Sequence, residues 1–271
     1  MNKFRQLFNQ KKCSVIGMVH VNALPGTPLF SGSVDEIVSK ACKETEIYLN
    51  QNIDGILIEN MHDVPYMQSK HLGPEIVATM SKICTELKKL IPGNVPCGVQ
   101  VLASGNKEAL AIAKATSLNF IRCEGFVFGH VADEGYTDAN AGQILRYRKQ
   151  IEANNVLVFA DIKKKHSSHS ITNDISLAET AKAAEFFLAD GLILTGTATG
   201  DPAKLSDLNK IKTASSLPLL IGSGVTIDNV QHYISADALI IGSHFKEDGQ
   251  WNKDLDAKRV GDFMKKINNI L

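Results

Sequence analysis

The chain has 271 residues, with 29 basic and 29 acidic side chains and a hydrophobic content of 44%. The balanced charge argues against a general nucleic-acid binder or a protein held on an anionic membrane surface, since both need a basic excess. No apolar run approaches the ~20 residues of a membrane span, and a mean hydropathy near zero is that of a globular domain. The five cysteines, Cys13, Cys42, Cys84, Cys97 and Cys123, are odd in number and scattered, with no C-x-x-C pair. They read as buried thiols in a reducing, cytoplasmic setting and not as a disulfide frame or a zinc site.

Lys3, Arg5, Lys11 and Lys12 make the N-terminus basic, and the first acid is Asp35. A mitochondrial presequence shares that look, so a mitochondrial location stays open beside the cytoplasmic one. Phe4, Leu7 and Phe8, at helical spacing, predict instead a short helix that closes one end of the domain.

Eight short apolar runs follow, at 14–19, 55–58, 98–103, 119–123, 156–160, 191–194, 217–221 and 238–241. Each reads as a buried strand. Between them lie helical patterns, such as Val34, Ile37, Val38, Ala41 and Thr45, or Leu177, Thr180, Ala181 and Ala184. Ser33 with Glu36 and Ser176 with Glu179 fit capping boxes. Gly73-Pro74 and Asp201-Pro202 place proline at a first helical position. Strand–helix alternation implies a parallel sheet, and eight units in this length match a single closed (β/α)8 TIM barrel spanning 1–271. Asp54, Asp190 and Asp237 recur just before strands and read as turn residues on the N-terminal face. The stretch 124–138 is long for a strand-to-helix loop and suits a lid.

In such a barrel the C-terminal strand ends carry the site. His20, Glu59, Glu124, Asp161 and Lys163 fall there, and alternation along the fifth strand sets Asp161 and Lys163 on one face. These are the candidate catalytic residues, with Lys163 and Asp161 as a proton-transfer pair assisted by Glu59 and His20. A lysine lowered by burial could also form a Schiff base. After the last three strands come Thr195-Gly196, Gly222-Ser223-Gly224 and Gly242-Ser243. Glycine lets backbone N–H groups approach an anion, which makes these seven residues a candidate phosphate cradle. No cofactor motif stands out. His20, Glu59, Glu124 and Asp161 have the donor types for a divalent metal, so a metal remains an option. Each residue also has a plainer explanation, as an ion-pair partner or a turn residue. Yet burying this many charges around one opening is a costly way to stabilise a fold.

The order of blocks resembles the BtpA family. Ile16-Gly17-Met18-Val19-His20 with Leu24-Pro25-Gly26-Thr27-Pro28 carries the resemblance, as do Gly55-Ile56-Leu57-Ile58-Glu59-Asn60 and Asp63-Val64-Pro65-Tyr66. Further blocks are Phe120-Ile121-Arg122, Arg146-Tyr147-Arg148, Ala160-Asp161-Ile162-Lys163-Lys164-Lys165-His166, Thr195-Gly196-Thr197-Ala198-Thr199-Gly200 and Gly222-Ser223-Gly224-Val225-Thr226, and the resemblance as a whole runs from about Cys13 to Phe263. The resemblance implies a barrel of the ribulose-phosphate-binding group, with no settled reaction. Two departures stand out: Ser104-Gly105-Asn106 where the family tends to carry Asn-Asp, and His244 after Gly242-Ser243. The expected function is an enzyme acting on a phosphorylated sugar or a ribosyl or nucleotide-like compound, by isomerisation, lysis or hydrolysis. The alternative is a non-catalytic assembly factor, as the family's photosystem I role suggests. The expected partner is a phosphorylated small molecule, without nucleic acid or a transmembrane segment, and with a homo-oligomer left open.

Overall fold

A computed structural model describes residues 3–271 apart from Thr197 and Thr199. Those two threonines, part of one motif above, lie outside the described residues. Eight parallel strands close into a barrel: β1 Ser14–His20, β2 Gly55–Glu59, β3 Cys97–Gln100, β4 Phe120–Cys123, β5 Leu157–Ile162, β6 Gly191–Leu194, β7 Leu219–Ile221 and β8 Ala238–Ile241. Helices α1 Lys3–Leu7, α2 Val34–Asn50, α3 Pro74–Leu90, α4 Asn106–Ala115, α5 Ala141–Gln150, α6 Leu177–Phe186, α7 Leu205–Ala214 and α8 Ala257–Ile270 complete the chain. Between β7 and β8 a 3-10 turn, Val230–His232, stands in for a helix.

Both capping boxes form as expected, and Pro74 opens α3. Pro202 does not open α7, which starts three residues later behind Lys204. The third strand is shorter than its apolar run and stops at Gln100.

Alternation on the parallel strands sorts side chains into two layers. Ile16, Met18, Leu57, Phe120, Leu157, Phe159, Ile193, Leu220 and Ile240 fill the barrel interior, and Phe4 and Phe8 join them from the N-terminal end. The basic N-terminal segment thus plugs the barrel floor: Phe4 stacks on Phe8 at 4.6 Å and meets Phe159 edge-on at 5.6 Å. Glycines make room for the large rings: a Cβ on Gly98 would lie 2.3 Å from Phe120.

The recurring aspartates do more than turn the chain. Asp54 accepts the N–H of Val15 at 2.8 Å, Asp190 that of Val158 at 2.9 Å, and Asp237 that of Leu219 at 3.0 Å. Asn119 does the same for Cys97 at 2.9 Å. Each acceptor just ahead of an even-numbered strand thus satisfies an N–H at the start of the odd-numbered strand before it, groups the parallel ladder leaves open. A second structural polar group sits outside the barrel wall, where the buried Lys246 amine donates to Glu44 at 2.7 Å.

At the opposite mouth, the stretch 124–138 expected to act as a lid is folded, and its Asp133 and Glu134 line a cavity. His130–Ala132 and Gly135–Thr137 form an antiparallel ribbon, and Ser167–Ser168 from the loop after β5 adds a third strand.

Candidate active site

The same alternation that packs the floor sets the rim. Continuing each inward-facing row by two residues leads from Met18 to His20, Leu57 to Glu59, Gly98 to Gln100, Phe120 to Arg122 and Phe159 to Asp161. On the remaining strands it leads from Ile193 to Thr195, Leu220 to Gly222 and Ile240 to Gly242. The parallel register aligns His20 with Glu59 and Glu59 with Gln100. Polar groups therefore gather on β1 to β5, and small residues on β6 to β8. A cavity of about 420 Å³ opens between them, within the ~300–1,000 Å³ usual for small-molecule sites. Of the expected residues, His20, Glu59, Glu124, Gly222, Ser223, Gly224, Gly242 and Ser243 line it.

Arg122 is the electrostatic hub. Its Nε lies 3.2 and 3.1 Å from the two carboxylate oxygens of Asp161. Glu59 and Glu124 also face it: burial pushes the Glu59 carboxyl up, and the nearby Arg122 and Lys165 charges pull against that. Burial opposes ionisation of Glu124 too, but Lys164, Arg122 and the Ser104 N–H together hold its carboxyl below the usual range. Lys164 bridges Glu124 at 3.4 Å and Glu134 at 3.0 Å. The Ser104 N–H reaches Glu124 Oε2 at 3.0 Å, and Asn106 donates to its backbone oxygen at 2.7 Å. The segment Ser104-Gly105-Asn106, which departs from the family pattern, thus serves to hold Glu124.

His20 is neutral. Its Nδ1 lies 3.3 Å from the Trp251 carbonyl and donates to it, leaving Nε2 without a hydrogen-bond partner among the described residues, 4.0 Å from Glu59 Oε2. Burial first, and the Lys246 charge second, push the imidazole down to about 3. A Cβ on Gly242 would approach the His20 ring to 3.0 Å, so a side chain here would press on that ring.

The expected Asp161–Lys163 pair does not form. Lys163 adopts φ 51°, which ends the extended alternation on which that expectation rested. Its amine points away from the main cavity and donates to the Ile175 carbonyl at 2.6 Å. Lys165 lines the cavity instead, where burial and the Arg122 charge lower its pKa against the pull of Glu59, Asp161 and Glu124. The metal option finds no support in the donor geometry, because among the described residues no three His, Cys, Asp or Glu groups converge. Asp161 is committed to Arg122 and Glu124 to Lys164.

The cradle residues divide. The Ser223 hydroxyl accepts the Gly196 N–H at 2.6 Å and donates to the Asp201 carbonyl at 3.0 Å, so it pins two loops together. The Gly222 N–H is spent on Leu194 at 2.8 Å. Gly224, at φ +68°, takes a backbone conformation that favours glycine and sits where a Cβ would strike Asp201 at 2.2 Å. Thr195 is buried with an unpartnered Oγ1 among the described residues. Arg259, from the first turn of α8, lines the cavity beside the segment after β8 and donates its Nε–H to the His244 carbonyl at 2.7 Å. His244 Nε2 accepts the Ile227 N–H at 3.1 Å, so burial and Arg259 keep this ring neutral, down to about 4.

From the sequence, no site role falls to Gln100, Arg122, Glu134, Lys164, Lys165 and Arg259, although Arg122 and Lys165 stand at strand ends. Gln100 was hidden because the third apolar run reads on to Ala103, which places Gln100 inside a strand instead of at its end. Arg122 was legible from alternation on β4. Glu134, on the ribbon, had no periodic signal.

The BtpA family model matches residues 11–269. An uncharacterized mitochondrial protein of Caenorhabditis elegans is 45% identical over 268 residues, covering 98% of this chain and 96% of its own. The photosystem I biogenesis protein BtpA of Synechocystis is 34% identical over 252 residues, covering 92% of this chain and 86% of its own. Among solved structures, phosphoribosyl anthranilate isomerase from Thermus thermophilus superposes with a TM-score of 0.60 at 10% identity, covering 95% of this chain and 100% of its own, which is likeness of fold. Barrel, strand-end motifs and sequence agree on one conclusion: this chain belongs to the BtpA family.

Proposed function

We propose that the protein is an enzyme acting on a phosphorylated small molecule of the sugar or ribosyl class. One observation carries this reading: a single cavity joins two glycine turns to a wall of buried ionisable groups. Such a wall is costly as mere architecture, because each charge gives up several kcal/mol of hydration (order of magnitude). The phosphate lies against Gly222-Ser223-Gly224 and Gly242-Ser243, in the position usual for barrels after the seventh and eighth strands, whereas Thr195 and Gly196 stand behind the cavity wall. Arg259 supplies positive charge, and Ser223 acts by holding the loops in place. A barrel neighbour whose name specifies a phosphoribosyl compound supports the same class.

Proton transfer falls to His20 and Glu59. His20 Nε2 is a neutral acceptor, and Glu59, raised by burial, holds a proton more readily than an exposed carboxyl. Arg122 and Lys165 stabilise negative charge that develops on a substrate oxygen, and Asp161 positions Arg122. The chemistry is of the proton-transfer kind that isomerisation, aldol cleavage and hydrolysis share.

The test is a thermal-shift screen of sugar phosphates followed by turnover assays. A ligand at ~100 times its dissociation constant adds about 2.7 kcal/mol of stability. On a substrate so found, Glu59→Gln and Lys165→Met lose turnover by at least about a hundredfold, whereas Lys163→Met keeps it. Ser243→Glu, which puts a carboxylate in the cradle, weakens binding. Failure of every phosphorylated compound to bind, or full activity in Glu59→Gln and Lys165→Met, overturns the reading.

A further inference from the structure

The cavity has a third wall that phosphate binding and proton transfer leave unused. Met18, Met61, Val64, Tyr66, Leu102 and Trp251 line it on the side of β1 to β3. Two of these have polar or ring contacts. The Tyr66 hydroxyl donates to the Met61 carbonyl at 2.7 Å. The Trp251 ring lies 5.1 Å from that of His62, while its carbonyl accepts from His20. On this side Gln100 stands next to Glu59 along the rim, and its side-chain amide is a polar group that proton transfer leaves unused. Gln100 is only 1% exposed and lines the cavity, yet among the described residues neither its Nε2 nor its Oε1 has a hydrogen-bond partner. Leaving a buried donor and a buried acceptor open together is costly, and native structures rarely do so without a ligand or water to complete them.

The position adds direction. In the closed barrel β3 is separated from β7 by three strands on either side, so Gln100 stands diametrically across from Gly222. A molecule with its phosphate on the β7–β8 turns would present its far end to Gln100 and to the Tyr66–Trp251 wall. That wall suits a flat apolar face, and the amide suits an edge that carries one donor beside one acceptor. A bare sugar offers hydroxyls but no flat face. An aliphatic phosphate offers neither.

Resting on the phosphate reading above, we propose that the substrate's far end is a planar nitrogen heterocycle with an amide-like edge, making the ligand a nucleoside monophosphate or a close ribosyl-heterocycle phosphate. Gln100 pairs with that edge through both its atoms, in the way side-chain amides read bases. Trp251 and Tyr66 cover the ring faces.

Calorimetric titration compares ribose 5-phosphate, uridine, and the 5′-monophosphates of uridine, inosine and adenosine. At least one monophosphate binds about tenfold or more tighter than ribose 5-phosphate. In Gln100→Leu, and independently in Trp251→Ala, the ratio of the two affinities falls towards one. Ribose 5-phosphate binding as tightly as every nucleotide overturns this inference and leaves the phosphate reading standing. So does a nucleotide preference that persists in both variants. No binding of any phosphorylated compound overturns both, and uridine binding as tightly as its monophosphate overturns the phosphate reading on which this one rests.

Discussion

Replacing Arg122 with methionine strips the cation from the centre of the rim. Arg122 and Asp161 have side chains 6% and 1% exposed, and Glu59 beside them is 6% exposed. Glu124 keeps Lys164 and the Ser104 N–H, so Asp161 and Glu59 are the carboxylates left without their main counter-charge. Removing one partner of a buried pair costs about 3–5 kcal/mol, a large share of the ~5–15 kcal/mol that holds a domain. For 271 residues the unfolding entropy is roughly 0.6 kcal/mol/K, so Tm falls by about 5–9 °C. The loss has a pH signature. Burial already pushes the Asp161 and Glu59 carboxyls up, and without Arg122 they rise further above their unfolded values. Groups raised on folding favour the native state when protonated, and that support disappears as pH climbs through the folded pKa. Urea unfolding of Arg122→Met therefore shows a deficit larger at pH 8 than at pH 5. Pairing it with Asp161→Leu restores part of the stability. A deficit under about 1 kcal/mol at pH 8, or one that is larger at pH 5, refutes the assignment of Arg122 as the hub.

Three further outcomes follow from the geometry. Burial holds His20 near 3 and, with Lys164 charge second, His130 near 4, so both rings are neutral in the fold. The unfolded chain takes up their protons below about pH 6.5, so stability falls with acidification by up to ~1.4 kcal/mol per pH unit for each. Denaturant titrations at pH 7, 6 and 5 compare the protein with His130→Gln, and a variant that keeps the same slope contradicts it. Lys246→Met leaves Glu44, 4% exposed, without its amine, and unfolding free energy drops by about 3 kcal/mol or more. Adding Glu44→Leu recovers most of it, and a silent single variant counts against the pair. Gly98→Ala forces a methyl to 2.3 Å from Phe120, whose ring is wedged between Phe8 and Phe159 at 6.2 and 5.1 Å. The expected cost is about 1–3 kcal/mol, read as a lowered urea midpoint.

Local rules carried far in this chain. Eight apolar runs spaced by amphipathic helices determined a parallel barrel, because strand and helix periods are properties of neighbouring residues. Strand-end position alone brought His20, Glu59 and Glu124 to the cavity, and the capping boxes set the starts of α2 and α6. What sequence could not settle were the points where the backbone leaves its period. Lys163 turns at φ 51°, which hands the cavity to Lys165. The third strand ends at Gln100 although its apolar run continues to Ala103. Tertiary structure alone decided the partners: Arg122 with Asp161, Lys164 with Glu124 and Glu134, and Ser223 with Gly196 and Asp201. The physical reason is that periodicity dictates which face a side chain takes, whereas ion pairs and loop staples join residues distant in the chain, and only barrel closure fixes their separation.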